Sequence, residues 1–161
     1  MKILSVNVGR PAEIRVKQGS VPTGIFKQPV QGRVRVLHDR LAGDFSAEKY
    51  DYGGPTQAAL VYQIESIDFW RERIDAPDYG PGFFGENFTV EDMPNGRVCI
   101  GDIYRFGSAV FQVTKHRPPC RKICARVGDP GFAKEYLHSQ RFGFYMRVLE
   151  EGDVGEGDAV E

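Results

Sequence analysis

The sequence predicts a mainly β domain, a closed or partly open β-barrel with two or so short helices. Three observations carry this. The 161 residues include 19 glycines and 10 prolines, a content that favours short strands and tight turns. Runs of β-prone residues recur between turns such as Gly101-Asp102 and Gly107-Ser108, both hairpin-type signals. Only two segments show helical spacing. A chain of this length forms one domain, residues 1–161, and buries roughly 70% of its unfolded surface without disulfide staples.

The elements follow in order. Residues Lys2 to Val8 alternate partly, and Gly24 to Val30 and Gly32 to Leu37 are β-rich, with Val34 and Val36 on one face. Residues 38–57 form a polar loop ending in Tyr52-Gly53-Gly54-Pro55, long enough inside a compact domain to suggest function. Ala58 to Tyr62 reads as a buried strand running into a helix at Glu65 to Arg73. The spacing of Leu60, Ile64, Ile67, Trp70 and Ile74 also allows a single helix. A second glycine-rich loop spans 75–87. Phe88 to Val90, Arg97 to Ile100, Ile103 to Phe106 and Ala109 to Thr114 read as strands. Residues 131–140 read as a helix, Phe144 to Leu149 as a last strand, and the remainder as an acidic, glycine-rich tail.

Lysine and arginine total 21 against 22 aspartates and glutamates, a net charge of -1. Such balance argues against a nucleic-acid polymer as partner. The start, MKILSVNVGR, has too short an apolar run for a signal peptide. No stretch of about 18 apolar residues exists, which argues against a membrane partner. Three cysteines, an odd number without an export signal, imply reduced thiols and a cytoplasmic location.

Against this near-neutral background, residues 115–126, KHRPPCRKICAR, stand out. Lys115, Arg117, Arg121, Lys122 and Arg126 surround Cys120, and His116 adds a further potential cation. Nearby cations favour thiolate over thiol. A thiolate is a nucleophile and a soft-metal ligand, and the same cations hold anionic ligands. The bland alternative, a small buried hydrophobe at a strand end, stays open. Cys124 follows four residues on, but no second pair at zinc spacing accompanies it. Cys99, between Val98 and Ile100, reads as core.

The loops around Gly53-Gly54 and Gly85-Glu86-Asn87 match neither a Walker nor a Rossmann pattern. They are plain turns, or places where backbone amides approach an anion. Asp44 reads as a turn or capping residue. His38, His116 and His138 are scattered, and His138 falls near a helix end in solvent. Phe83, Phe84, Phe142 and Phe144 could supply an exposed apolar patch, so the oligomeric state is open.

Taken in order, LAGD (41–44), YGGPTQAALVYQIESIDFW (52–70), GFFGENFTV (82–90), IGDIYRFGSAVFQVTKHRPPCRKI (100–123) and FGFYMRVLEEGDVGEGDAV (142–160) resemble a MOSC domain. This is the domain found at the C-terminus of molybdenum cofactor sulfurases, here of the small stand-alone bacterial type. The resemblance covers residues from about 20 to 160. It implies a barrel-like β fold and a molybdenum cofactor (molybdopterin), and the family is also associated with pyridoxal phosphate.

In family members that are enzymes, the R-x-P-C cysteine is the proposed metal ligand and catalytic centre, and Cys120 occupies that position. The resemblance further implies that Arg117, Arg121 and Lys122 pair with the cofactor's phosphate or shape its pocket. Tyr52, Gly53, Gly54, Gly85, Glu86 and Asn87 would line its pterin edge. Tyr52 stands where the family commonly has histidine, and a tyrosine does not move protons near neutral pH as histidine does. Three functions are implied. One is reduction of an N-hydroxylated small molecule with electrons from a separate reductase. Another is sulfur transfer through a Cys120 persulfide fed by a sulfur donor. The last is cofactor binding without turnover.

Overall fold

The computed structural model describes residues 1–47 and 54–161. Its elements are β1 (Lys2–Gly9), β2 (Ala12–Val16), β3 (Gly19–Thr23), β4 (Lys27–Pro29), β5 (Arg33–Leu37), β6 (Arg40–Leu41), β7 (Ala59–Gln63), α1 (Ile64–Arg71), β8 (Phe88–Glu91), β9 (Ile103–Phe106), β10 (Ala109–His116), α2 (Arg121–Val127), α3 (Phe132–Ser139), β11 (Phe144–Glu150) and β12 (Gly152–Gly155). The fold is mainly β, as the sequence predicts. No helix among the described residues is long and apolar enough to cross a membrane.

Seven strands form one mixed sheet in the order β4-β1-β8-β7-β11-β10-β9. Its parallel pair, β7 and β8, is joined through α1, and the other pairs are antiparallel. A small sheet β12-β5-β6 and the β2–β3 hairpin complete the architecture. The large sheet is open, with β4 and β9 at its edges. The C-terminal residues bridge the gap without making a full strand. Ile3 N donates to Asp158 O at 2.9 Å, and Gly157 N donates to Ile3 O at 2.8 Å. Glu161 exchanges both backbone bonds with Arg105, at 2.8 and 3.0 Å. Of the two barrel forms expected, the structure is therefore the partly open one.

β7 is buried at all five positions because a core lies on each side of it. Alternation sends successive side chains to opposite faces. Ala59 and Val61 join a core with Ile3, Val36, Phe88, Phe106 and Phe111. Tyr62 joins a second core under the helices, with Trp70, Phe84, Phe132 and Tyr136. Trp70 Nε1 donates to the Tyr62 hydroxyl at 3.2 Å, and that hydroxyl donates to Arg141 O at 2.8 Å. The ring pair thus satisfies its polar atoms inside an apolar layer.

Several expectations are corrected. Residues 97–100 are not a strand. Asn95–Arg97 is a 3-10 turn, and Cys99 is exposed with its N–H donating to Asp102 Oδ2 at 2.8 Å. That side chain takes the amide a ladder would need. Phe83, Phe84 and Phe144 are buried and form no surface patch. The residues of α2 form a third helix, and the acidic tail contributes β12, which pairs Val154 with Val34.

Candidate functional site

The path of the chain into Cys120 is set by proline. β10 ends at His116, and Arg117 N donates to Gly143 O at 3.2 Å. Pro118 and Pro119 lack amide donors and disfavour helix in the residue before each. Cys120, at φ −131° and ψ 163°, is therefore extended, and α2 starts immediately after it. Ile123 is fully buried and anchors that helix. Gly128, at φ 79° in the left-handed region, closes it by donating to Cys124 O at 2.9 Å. Cys120 is left half-buried at the helix entry, on the wall of a cleft of about 1170 Å³.

The five cations of this segment divide. Arg117, Arg121 and Lys122 line the cleft with Cys120. Arg126 is turned into the wall instead. Its guanidinium lies over the rings of Phe26 and Phe83, at 4.6 and 4.5 Å, and pairs with Asp78 at 2.7 Å. Lys115 lies 5.5 Å from the Tyr145 ring centroid. Arg117 is the deepest of the three, only 4% exposed, and its Nη1 has no hydrogen-bond partner. Burial works against its charge, but Tyr136, Tyr145, Cys120 and Tyr62 around it prevail and hold it above the ordinary arginine range. The cleft floor carries a permanent cation with a donor to spare.

The facing wall joins two distant motifs. Asp44 accepts from Gly9 N at 2.6 Å, from Lys27 Nζ at 2.5 and 2.6 Å, and from Asn87 Nδ2 at 2.8 Å. The Asn87 amide also donates to Asn7 O and accepts from Leu60 N, at 3.2 and 3.1 Å. Lys27, Asp44 and Asn87 all line the cleft. Glu86 does not. It is fully buried, with Oε1 accepting from Gly82 N at 2.6 Å and from Thr89 Oγ1 at 2.9 Å, and with Oε2 unpartnered. Burial raises its carboxyl above the usual range, against those hydrogen bonds and the charge of Arg117. Burial likewise raises the Cys124 thiol.

Of the residues anticipated from sequence, Cys120, Arg117, Arg121, Lys122, Gly54, Gly85 and Asn87 meet at the cleft. Tyr52 and Gly53 lie outside the described residues. Two of the loop amides anticipated as ligand donors are already used. Gly85 N donates to Gly82 O and Asn87 N to Leu60 O, at 2.9 and 2.8 Å. Both are engaged within the fold, so the 82–87 loop shapes the wall while the cations supply the donors. Gly85 itself is required by space. It sits at φ 80°, and a Cβ there would lie 2.9 Å from Ile25 Cγ1.

Sequence reasoning passed over Lys27, His38, Asp44 and Tyr145, all on the cleft. A signal for Lys27 existed. It lies two residues after Ile25, on the same side of an extended chain, and a lysine facing inward needs an acidic partner. Among the described residues, no group of three or more histidine, cysteine, aspartate or glutamate side chains is placed to hold a metal ion alone.

Comparison with known proteins agrees with this architecture. The MOSC domain model matches residues 49–161. Over 159 residues the chain is 36% identical to the uncharacterized protein YflK of Bacillus subtilis, covering 99% of this chain and 72% of that one. It is 33% identical to a reductase of Gibberella moniliformis, where it covers 98% of itself but only 28% of the relative. The crystal structure of YiiM from Geobacillus stearothermophilus superposes with a TM-score of 0.79 at 33% identity, covering 99% of this chain and 73% of that one. The match over residues 49–161, the near-complete overlap with YflK and the shared fold with YiiM lead to one conclusion: the chain belongs to the MOSC family.

Proposed function

We propose that this protein binds a molybdenum cofactor in the Cys120 cleft and reduces N-hydroxylated small molecules. The observation that carries the reading is Arg117, a buried cation whose Nη1 has no partner on the floor of a cleft that also holds Cys120. A buried unpaired donor is costly unless a ligand satisfies it. An anionic group is the partner that a guanidinium suits best.

The donor set fits this cofactor better than a free ion. One soft thiol, the cations Arg117, Arg121 and Lys122 beside it and, among the described residues, no cluster of hard ligands suit a metal that arrives already ligated on an anionic carrier. Cys120 would complete the coordination, and Arg117, Arg121 and Lys122 would hold the anionic tail. When bound, the cofactor supplies the two-electron redox chemistry. The net reaction, R–NHOH + 2 e⁻ + 2 H⁺ → R–NH₂ + H₂O, breaks the N–O bond. It takes its electrons from a separate reductase protein. The fungal relative described as a reductase supports this class of chemistry.

The test is protein purified from a cofactor-competent host, beside Cys120→Ser. Wild type is expected to carry molybdenum and pterin near stoichiometry and to reduce a hydroxylamine with an artificial donor. The variant should lose metal and activity together. Wild type without molybdenum, before and after reconstitution, overturns the proposal.

A further inference from the structure

A second cleft, of about 650 Å³, opens at the far end of β7 from the Cys120 site. Gln63, the last residue of that strand, lines it and is 2% exposed. Neither Oε1 nor Nε2 of its carboxamide has a hydrogen-bond partner. Gln63 is also the residue from which α1 starts, yet its side chain makes no capping bond. A buried amide with both ends unpaired holds a donor and an acceptor side by side in a plane.

The surroundings bear charge of both signs. Arg97 and Arg141 line the cleft, and the Arg141 guanidinium lies 4.3 Å from the Phe69 ring centroid, held by stacking. The Glu65 carboxylate is engaged by Asp92 N at 3.1 Å. Asp92 and Gln140, at φ 60° and 55°, are the non-glycine residues with positive φ among those described, and both line this cleft.

We infer that this cleft is a second binding site, for a small ligand that carries a cyclic amide edge and an anionic group. The adjacent N–H and C=O of such an edge match the Gln63 carboxamide bond for bond. The anion is drawn to Arg97 and Arg141. A pyrimidine nucleotide has both features. The site shares no lining residue with the Cys120 cleft, so it stands or falls independently of the proposed reductase function.

Calorimetric titration with uridine monophosphate tests this. Wild type is expected to bind it saturably, and 3-methyluridine monophosphate, which lacks the imide N–H, at least tenfold more weakly. Gln63→Met should abolish binding while its melting temperature stays level or rises, because the unpaired carboxamide is gone. Arg141→Gln should weaken binding at least tenfold, and Cys120→Ser should leave it unchanged. No saturable heat from wild type at millimolar ligand overturns the inference. So does equal binding by the methylated ligand or by Gln63→Met. If Gln63→Met does not fold, wild-type affinity in Arg141→Gln overturns it.

Discussion

Asn87 Nδ2 donates to Asp44 Oδ2 across 2.8 Å, tying together residues 43 apart in sequence. The same carboxylate holds Lys27 Nζ, and both partners of that ion pair are 8% exposed. One wall of the Cys120 cleft is thus a buried charge pair clamped by an amide, and its integrity is measurable.

Asp44→Ala leaves the Lys27 ammonium buried without a counter-charge. The loss is expected to be about 3–5 kcal/mol, since removing one partner of a buried pair strands the other. The double variant Lys27→Met/Asp44→Leu should recover the part due to the stranded charge, but not the bonds from Gly9 N and Asn87 Nδ2. Denaturant unfolding of wild type and both variants checks this, and a double variant no better than the single would contradict it.

Glu86 sets a pH dependence. Burial raises its folded carboxyl above the unfolded value. Its contribution to stability is therefore complete below about pH 4, the unfolded value, and is lost as pH rises through the folded one. Across that window the folded protein holds a proton the unfolded chain has released, at about 1.4 kcal/mol per pH unit. Glu86→Gln keeps an oxygen for Gly82 N and removes the charge. Its stability relative to wild type should grow as pH is raised from 4 toward 8. A difference that stays flat over that range would refute this.

Arg117→Met should separate stability from binding. The variant removes an unpaired donor but also a charge that its neighbours favour, so its melting temperature is expected to change little. Retention of the cofactor should fall at least tenfold, the size of a lost charge-assisted bond of about 1.5–3 kcal/mol. Pterin fluorescence of purified protein, alongside a thermal scan, gives both readings.

Gly85→Ala should reshape the cleft. A side chain at φ 80° is strained, and its Cβ meets Ile25. The expected cost is on the order of 1–2 kcal/mol. Alkylation of Cys120 by a bulky maleimide should change more than alkylation by iodoacetamide, because the wall opposite moves while the thiol's own loop does not.

Where local pattern and tertiary need coincide, the sequence is readable. β5 alternates cleanly, and Val34 and Val36 are both buried. β7 and α1 follow the strand-then-helix reading because the apolar run Ala58 to Tyr62 serves two cores at once. β12 was hidden, since Gly152-Asp153-Val154-Gly155 has no strand propensity and exists through its ladder to β5. The α2 helix was hidden by the charge and proline around it, though Gly128 marks its end. At the site, the type of each cation was legible but not its direction. Arg121 and Arg126 look alike in sequence, and only packing against Phe26 and Phe83 sends one of them away from the cleft.

The bridging of β1 by the last residues has a consequence for how the molecule is made. Lys2 lies opposite Ala159, and Val160 N donates to Met1 O at 3.1 Å. β1 therefore receives one of its neighbours from residues far along the chain. Contacts of such sequence separation slow folding, because loop closure must precede them. Amides of the segment 157–161 should be among the last to gain protection in pulsed hydrogen exchange during refolding. Until they do, that side of β1 stays open to pairing with a second chain.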